Sequence, residues 1–386
     1  MRHSLQERDA VEDRGMSEAV ALTRRLVALD TAGHGENEAV AVLAPLLGDA
    51  GFDVRTVEHA PGRGGLVAEW AIDRDVPPLC LSGHLDTVPL GARPWRHDPH
   101  AGEADGDRLY GRGTSDMKGG VAAIVTAATR LTSGRARRAG IRIVLTAAEE
   151  TGCDGARAAV PLLRGRPGGP LMITEPTGNS VAYGHKGALW LKGHAAGVTA
   201  HGSMPSLGVN AVVRLAHAAV RLDGHTFPDA PHLVMGAPTL NVATFHGGLN
   251  TNSVPDRAEM TLDVRTVTGQ RHDVVAEELA ACAGPYVEWE PLVDVPAVWT
   301  DPDGEWAASV AAAVQAITGV PQGEPRAMTF FTDAAVLAPA LGSVPTVICG
   351  PGEPDQAHVT DEWCSMRRIA ESVAIVEQIC RSWCEL

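Results

Sequence analysis

The chain has 386 residues, 45% of them apolar and 20% charged, enough for two or three domains at roughly 150 residues each. This composition excludes disorder, collagen and coiled coil. A formal net charge of −15 argues against nucleic acid as a partner, because phosphate neutralisation needs clustered Lys and Arg. The charge fits a solvated surface, or carboxylates gathered to hold a cation.

In chain order, the polar stretch 1–16 lacks an apolar core and reads as a frayed extension rather than a signal peptide, with Met16 an alternative start. Ser17 caps a helical pattern that runs to Asp30, and a second helix is expected over Glu36–Leu47. Leu79–Ser82, Ile141–Thr146 and Leu171–Thr174 read as buried strands, and Gly119–Leu131 and Gly155–Leu163 as helices. That alternation predicts an α/β fold with a largely parallel sheet flanked by helices. From about 187 to 298 the pattern changes. Strands at Ala188–His194, Thr239–Phe245 and Ala258–Val264, with helices at Val209–Leu222 and His272–Cys282, predict an inserted α+β sandwich. The expected division is therefore 1–186 and 299–386 for a first domain and 187–298 for the insertion. In the last part a helix to Ile317, another over Asp333–Ala340, a strand at Val344–Ile348 and a long helix from Asp361 complete the reading. No apolar run reaches about eighteen residues, so no spanning helix and no membrane partner are expected. Seven scattered cysteines without a Cys-x-x-Cys fit reduced thiols in a cytoplasmic protein. Cys380 and Cys384, four apart, read as one face of the last helix rather than a metal site.

Five short segments concentrate ligand-type residues, four of them at or just after predicted strand ends. Ser82–Pro89 carries His84 and Asp86, two apart and so on one side of an extended chain, where a carboxylate can orient a ligating His. Gly111–Gly120 is a Gly-rich turn into a helix, with Asp116 near the positive helix end. Thr146–Gly152 carries the adjacent Glu149 and Glu150, one able to bind metal while the other faces substrate. Thr174–Thr177 carries Glu175, and Ala357–Glu362 carries His358. His84, Asp116, Glu150, Glu175 and His358 together supply two imidazoles and three carboxylates. With Asp116 bridging, each of two cations receives one His and one further carboxylate. A mixed nitrogen and oxygen set suits zinc best, with cobalt or manganese as substitutes.

The segments SGHLDTVP, GRGTSDMKGG, AAEETG, TEPT and AHVTDE, in this order and spacing, resemble the two-zinc metallopeptidase superfamily of acetylornithine deacetylase, succinyl-diaminopimelate desuccinylase, carboxypeptidase G and aminoacylase-1. The resemblance implies a catalytic domain holding both zincs, interrupted by a lid that commonly mediates homodimerisation. It makes His84 and His358 terminal ligands, Asp116 the bridge, Glu150 and Glu175 one ligand for each zinc, Asp86 the residue orienting His84, and Glu149 the general base. In the lid it implies that His201 stabilises the oxyanion, in its own subunit or across a dimer. It further implies that Asn252 lies in a family Asn-x-Ile-Pro-like segment and that Arg265 holds the substrate carboxylate. Gly350 would line the cleft, and Thr332 belongs to a cleft segment of varying use. Lys186 at the hinge reads equally as an anion contact or a solvated cation. His201 reads otherwise as a surface residue, and Arg265 as a partner of Asp263 or Glu259. Ala148 stands where relatives often have Asp, and Glu175 rather than Asp points away from aminopeptidases. The expected reaction is hydrolysis of the amide bond of a small acylated amino-acid substrate, by deacetylation or desuccinylation. A carboxypeptidase or dipeptidase is the alternative, and a non-catalytic scaffold the alternative of another class.

Overall fold

Helix α1 (Glu18–Val27) begins where the Ser17 hydroxyl oxygen accepts the Val20 amide, the capping bond that spares one of the free amides of the first turn. Helix α2 (Glu36–Asp49) leads into a hairpin of β1 (Asp53–Ala60) and β2 (Arg63–Trp70). The remaining elements of this part are β3 (Leu79–His84), the short β4 (Ala104–Asp105) and β5 (Arg108–Tyr110), and α3 (Gly119–Leu131). They are followed by β6 (Ile141–Thr146), α4 (Asp154–Leu163) and β7 (Leu171–Pro176). This computed structural model describes residues 17–386 except 73, 74, 133, 135 and 167. The stretch 1–16, expected to be frayed, lies outside the described residues.

The chain divides into two compact units, the second made of Gly184–Trp299 and Ala327–Phe331. The first unit is completed by α7 (Glu305–Thr318), α8 (Ala334–Ala340), β14 (Thr346–Gly350), β15 (Trp363–Ser365) and α9 (Met366–Cys384). Its main sheet has the order β1-β2-β6-β3-β7-β14. The four strands β6, β3, β7 and β14 are parallel, and the β1–β2 hairpin forms an antiparallel edge. The four parallel strands are buried along their whole length, which is what coverage on both faces demands of apolar runs such as IRIVLT. Helix α3 packs with α1, α2 and α9, while α4 packs with α8, supplying the two outer layers. The mixed, largely parallel sheet expected from the sequence is therefore present. Its parallel strands all end on one side, where ligand sites form in such sheets.

In the second unit, β8 (Gly184–His185) pairs with β13 (Val298–Trp299). The strands β9 (Gly187–Ala196), β10 (Thr239–Gly247), β11 (Arg257–Thr266) and β12 (Glu288–Val295) form an antiparallel sheet of order β10-β11-β9-β12. Burial alternates along β11, so Ala258, Met260, Leu262 and Val264 face the core. Leu215 and Leu222 of α5 (Ala211–Asp223) and Leu279 of α6 (His272–Ala283) close that core. The Asn210 side chain caps α5 by accepting the Val213 amide.

Two expectations are corrected. The last helix begins at Met366, not Asp361. Asp361 has φ +59°, Trp363–Ser365 pair with β5, and the Ser365 hydroxyl caps the helix by accepting the Arg368 amide. The strand expected from Val344 starts at Thr346, after Pro345, which has no amide hydrogen to offer a ladder. Cys380 and Cys384 are both buried in α9, and all seven cysteines are unpaired. Among the described residues, no helix is long and apolar enough to cross a membrane.

Candidate active site

The C-terminal ends of β3, β6 and β7 bring His84, the Glu149–Glu150 pair and Glu175 together. His84 is the last residue of β3. Its Nδ1 lies 2.9 Å from the Asp86 main-chain carbonyl, so Nδ1 is a donor and Nε2 is the nitrogen turned toward the acids. The Asp86 carboxylate, expected to do that orienting, is 3.6 Å from Nδ1. Asp86 lies beyond the strand end, where strict alternation no longer applies. The Asp86 carboxylate instead accepts the amides of Glu149 (3.1 Å) and Glu150 (3.2 Å). It thereby fixes the turn after β6, where Ala148 holds φ +55°.

Asp116 lies in a π-type turn over Thr114–Lys118, with extended backbone (φ −120°) rather than the helical geometry expected at a helix start. Its two oxygens point at the two imidazoles. Oδ1 is 3.1 Å from His84 Nε2, and Oδ2 is 3.4 Å from His358 Nε2. Glu175 Oε2 lies 3.8 Å from His84 Nε2, and Glu150 Oε2 lies 3.0 Å from His358 Nε2. The other four residues expected as ligands thus gather about Asp116. Two triads, His84–Asp116–Glu150 and His84–Glu149–Glu175, each offer ligand atoms within 4.8 Å of one another.

The electrostatics are those of crowded, buried acids. Burial pushes Glu175 up to about 8. It also drives Glu149 well above the ordinary carboxyl range, reinforced by the neighbouring Glu175. Burial also acts on Asp116, but hydrogen bonds from His358 and His84 outweigh it and hold the carboxyl below its usual range. His358 is pushed up to about 10 by its bonds to Asp116 and Glu150. Each imidazole Nε2 faces two carboxylates, Asp116 and Glu175 for His84 and Asp116 and Glu150 for His358, acceptors that need a proton or cation between them. Glu149 Oε1 is buried with no hydrogen-bond partner. The donor set fits a pair of hard to borderline cations bound through two nitrogens and several carboxylates.

Gly350 ends β14 beside this cluster, and a Cβ there would lie 2.0 Å from the Thr174 carbonyl oxygen. That carbonyl belongs to β7, so the close approach admits no side chain. Thr332 is buried, and its hydroxyl accepts the Ala334 amide. In the second unit, His201 is exposed. Its Nδ1 lies 2.8 Å from Ser203 Oγ, and the Gly202 amide donates to the Asn252 carbonyl (2.7 Å). Arg265 Nε is 2.8 Å from Asp263 Oδ1, and its guanidinium stands 5.9 Å from the Trp190 ring centroid. Lys186 Nζ donates to the Ala237 carbonyl at 2.6 Å; burial, then the Arg265 charge, lowers its pKa.

Three residues of this region lie in segments the sequence reading singled out but were given no role by it. Asp333, one residue past Thr332, is buried. It accepts a hydrogen bond from Thr146 at the end of β6, has Oδ1 unpartnered, and is pushed up to about 6 by burial. Glu362 and Arg112 form a buried ion pair at 2.7 Å. Both sit inside segments already singled out, and the signal was a charged residue within an otherwise Gly-rich or turn motif.

A model of peptidase family M20/M25/M40 matches residues 80–382. Acetylornithine deacetylase of Vibrio atlanticus is 29% identical over 357 residues, covering 91% of this chain and 93% of its own. Acetylornithine deacetylase of Edwardsiella ictaluri is 29% identical over 385 residues, covering 95% and 98%. Among solved structures, an M20 family metallo-carboxypeptidase of Sulfolobus solfataricus has a TM-score of 0.78 at 18% identity, covering 96% of this chain and 100% of that one. A Bacillus subtilis dinuclear metal-binding peptidase of the M20 family has a TM-score of 0.70 at 16% identity, covering 95% and 98%. The matched model spans most of the chain, from the first candidate ligand motif to the last helix, and the chain belongs to peptidase family M20/M25/M40, as a metal-dependent amidohydrolase.

Proposed function

We propose that the chain hydrolyses the amide bond of an N-acyl amino acid or related small acylated amine, using two zinc ions for which cobalt or manganese can substitute. The observation that carries this reading is Asp116 placing one oxygen on each imidazole, with the buried Glu149 Oε1 unpartnered beside it. His84, Asp116 and Glu175 would hold one cation, and His358, Asp116 and Glu150 the other. When bound, the cations supply a water of lowered pKa and polarise the acyl carbonyl. Glu149 accepts the proton of the attacking water and returns it to the leaving amine, a role suited to a carboxyl whose pKa burial has raised. Asp86 holds Glu149 in place through its amide. His201 stabilises the oxyanion and Arg265 holds the substrate carboxylate, with Asn252, Lys186, Gly350 and Thr332 lining the substrate.

The 29% identity with acetylornithine deacetylases over most of both chains supports a deacylase, with deacetylation and desuccinylation both open. The carboxypeptidase likeness favours the alternative, a carboxypeptidase or dipeptidase. We further propose a homodimer through the second unit. Val213 and Val220 of α5 and Phe245 of the edge strand β10 are exposed apolar side chains there, and such an edge invites pairing. Seven unpaired thiols fit a reducing, cytoplasmic setting.

The test is a panel of N-acetyl, N-succinyl and dipeptide substrates assayed with zinc or cobalt, alongside metal analysis. Chelator-sensitive release of an amino acid and two metals per chain are expected. No hydrolysis and no bound metal would revive the scaffold reading.

A further inference from the structure

We infer that Glu362 is a positioning residue that sets the separation of Asp116 from His358, and thereby governs the cation held by His358 and Glu150. Glu362 lies outside the set assigned above; the inference rests on the two-cation reading. Its buried carboxylate is filled by four donors from one short segment. Oε2 accepts Arg112 Nη1 (2.7 Å) and the Gly113 amide (2.9 Å), and Oε1 accepts the amides of Ser115 (2.9 Å) and Asp116 (3.1 Å). Two bonds to main-chain carbonyls reinforce the join. The Gly111 amide donates to the Glu362 carbonyl (2.9 Å), and Ser115 Oγ to the Trp363 carbonyl (2.7 Å).

One side chain therefore clamps two loops that are 246 residues apart. The first carries Asp116. The second carries His358 four positions before Glu362, on backbone that is left-handed at both His358 (φ +63°) and Asp361 (φ +59°). Asp361 anchors the other side of that turn, its carboxylate accepting the Arg96 amide (2.7 Å) and the His97 amide (3.3 Å). His84, Glu150 and Glu175 owe nothing to this clamp, because the ends of β3, β6 and β7 and the Asp86 carboxylate place them. Loosening Glu362 frees Asp116 and His358 together. That would remove two of three ligands from the cation of His358 and Glu150, and one from the cation of His84 and Glu175.

The experiment is stepwise cobalt titration of the metal-free full-length chain, followed by visible absorption and by chelator competition. The proteins compared are the wild type, Glu362→Gln and Glu362→Asp. Gln keeps the volume but turns its amide group toward two N–H donors in either orientation. Asp keeps the charge and falls one methylene short. For Glu362→Gln we expect the second cation to bind at least about tenfold more weakly, the scale for residues that support metal ligands, and the first within about threefold of wild type. Glu362→Asp should lie between the two. Activity should fall in kcat with KM within about twofold, and excess cobalt should recover it. Equal weakening of both steps in both variants would mean a merely structural role and overturn the assignment, as would two unchanged steps. If Glu362→Gln does not fold, Glu362→Asp decides by the same ratio. Fewer than two cations on the wild type would instead overturn the two-cation reading, and this inference with it.

Discussion

Asp86 illustrates how a single side chain serves two neighbours. Its main-chain carbonyl receives the His84 Nδ1 hydrogen, and its carboxylate receives the amides of Glu149 and Glu150. Asp86→Asn keeps the carbonyl but offers its amide group to one of those N–H donors. We expect metal affinity to fall about 10- to 100-fold, the scale for residues that orient ligands, measured by chelator competition. Glu149 behaves differently because it holds no expected terminal-ligand position. Glu149→Ala should retain both metals by elemental analysis while kcat drops about 10²- to 10⁴-fold, the usual contribution of a general base. Normal turnover in that variant would remove the role assigned to it.

At the scale of elements, the site depends on where strands and helices stop. The Ser365 hydroxyl accepts the Arg368 amide (3.1 Å) and donates to Asp107 Oδ2 (2.6 Å), so it ends β15, starts α9 and ties both to the turn before β5. Ser365→Ala should cost about 1–2 kcal/mol in denaturant unfolding, as a lost cap does, with KM unchanged. Burial explains which elements could be read from the sequence. The runs that became β3, β6 and β7 are predominantly apolar and buried along their whole length, and Gly119–Leu131 and Ile141–Thr146 were read to the residue. Strand β1 was missed because DVRTVEHA lies at a half-exposed sheet edge, where burial imposes no continuous apolar run, and β2 because RGGLVAEW, though buried, begins with Arg and two glycines and has only a short apolar stretch. The candidate ligands were legible because each sits in a compact motif, with His84, Glu150 and Glu175 at or just after the ends of β3, β6 and β7. Glu362 and Asp333 were not, because their donors lie 246–250 and 187 residues away in the chain. The start of the last helix failed for the same reason. Glu362 is held by Gly111–Asp116, and no local pattern records that.

At the scale of the whole molecule, the buried acids make stability depend on pH once metal is removed. Burial pushes Glu175 up to about 8, Glu362 to about 7 and Asp333 to about 6. These groups bind protons more tightly folded than unfolded, so the folded state is penalised as pH rises through this range. His358, pushed up to about 10 by its bonds to Asp116 and Glu150, acts in the same sense, its contribution being lost as pH rises toward that value. Asp116 acts oppositely, but only below its ordinary 3.8. The chelated chain should therefore melt at a lower temperature at pH 8 than at pH 5.5, and saturating zinc should flatten that dependence. A rise in melting temperature from pH 5.5 to 8 in the chelated chain would contradict the arrangement.

The interruption of the first unit by Gly184–Trp299 also bears on the order of events during synthesis. His84, Asp116, Glu150 and Glu175 are all made before the insertion begins, whereas β14, His358 and Glu362 emerge some 180 residues after Glu175. At roughly 5–20 residues per second, translation leaves the early acids without their last imidazole for about 10–40 seconds. A ribosome-bound chain in that interval carries a clustered negative charge with only one His to offset it. On the two-cation reading, the site of the cation held by His358 is therefore completed only after the whole insertion has been made.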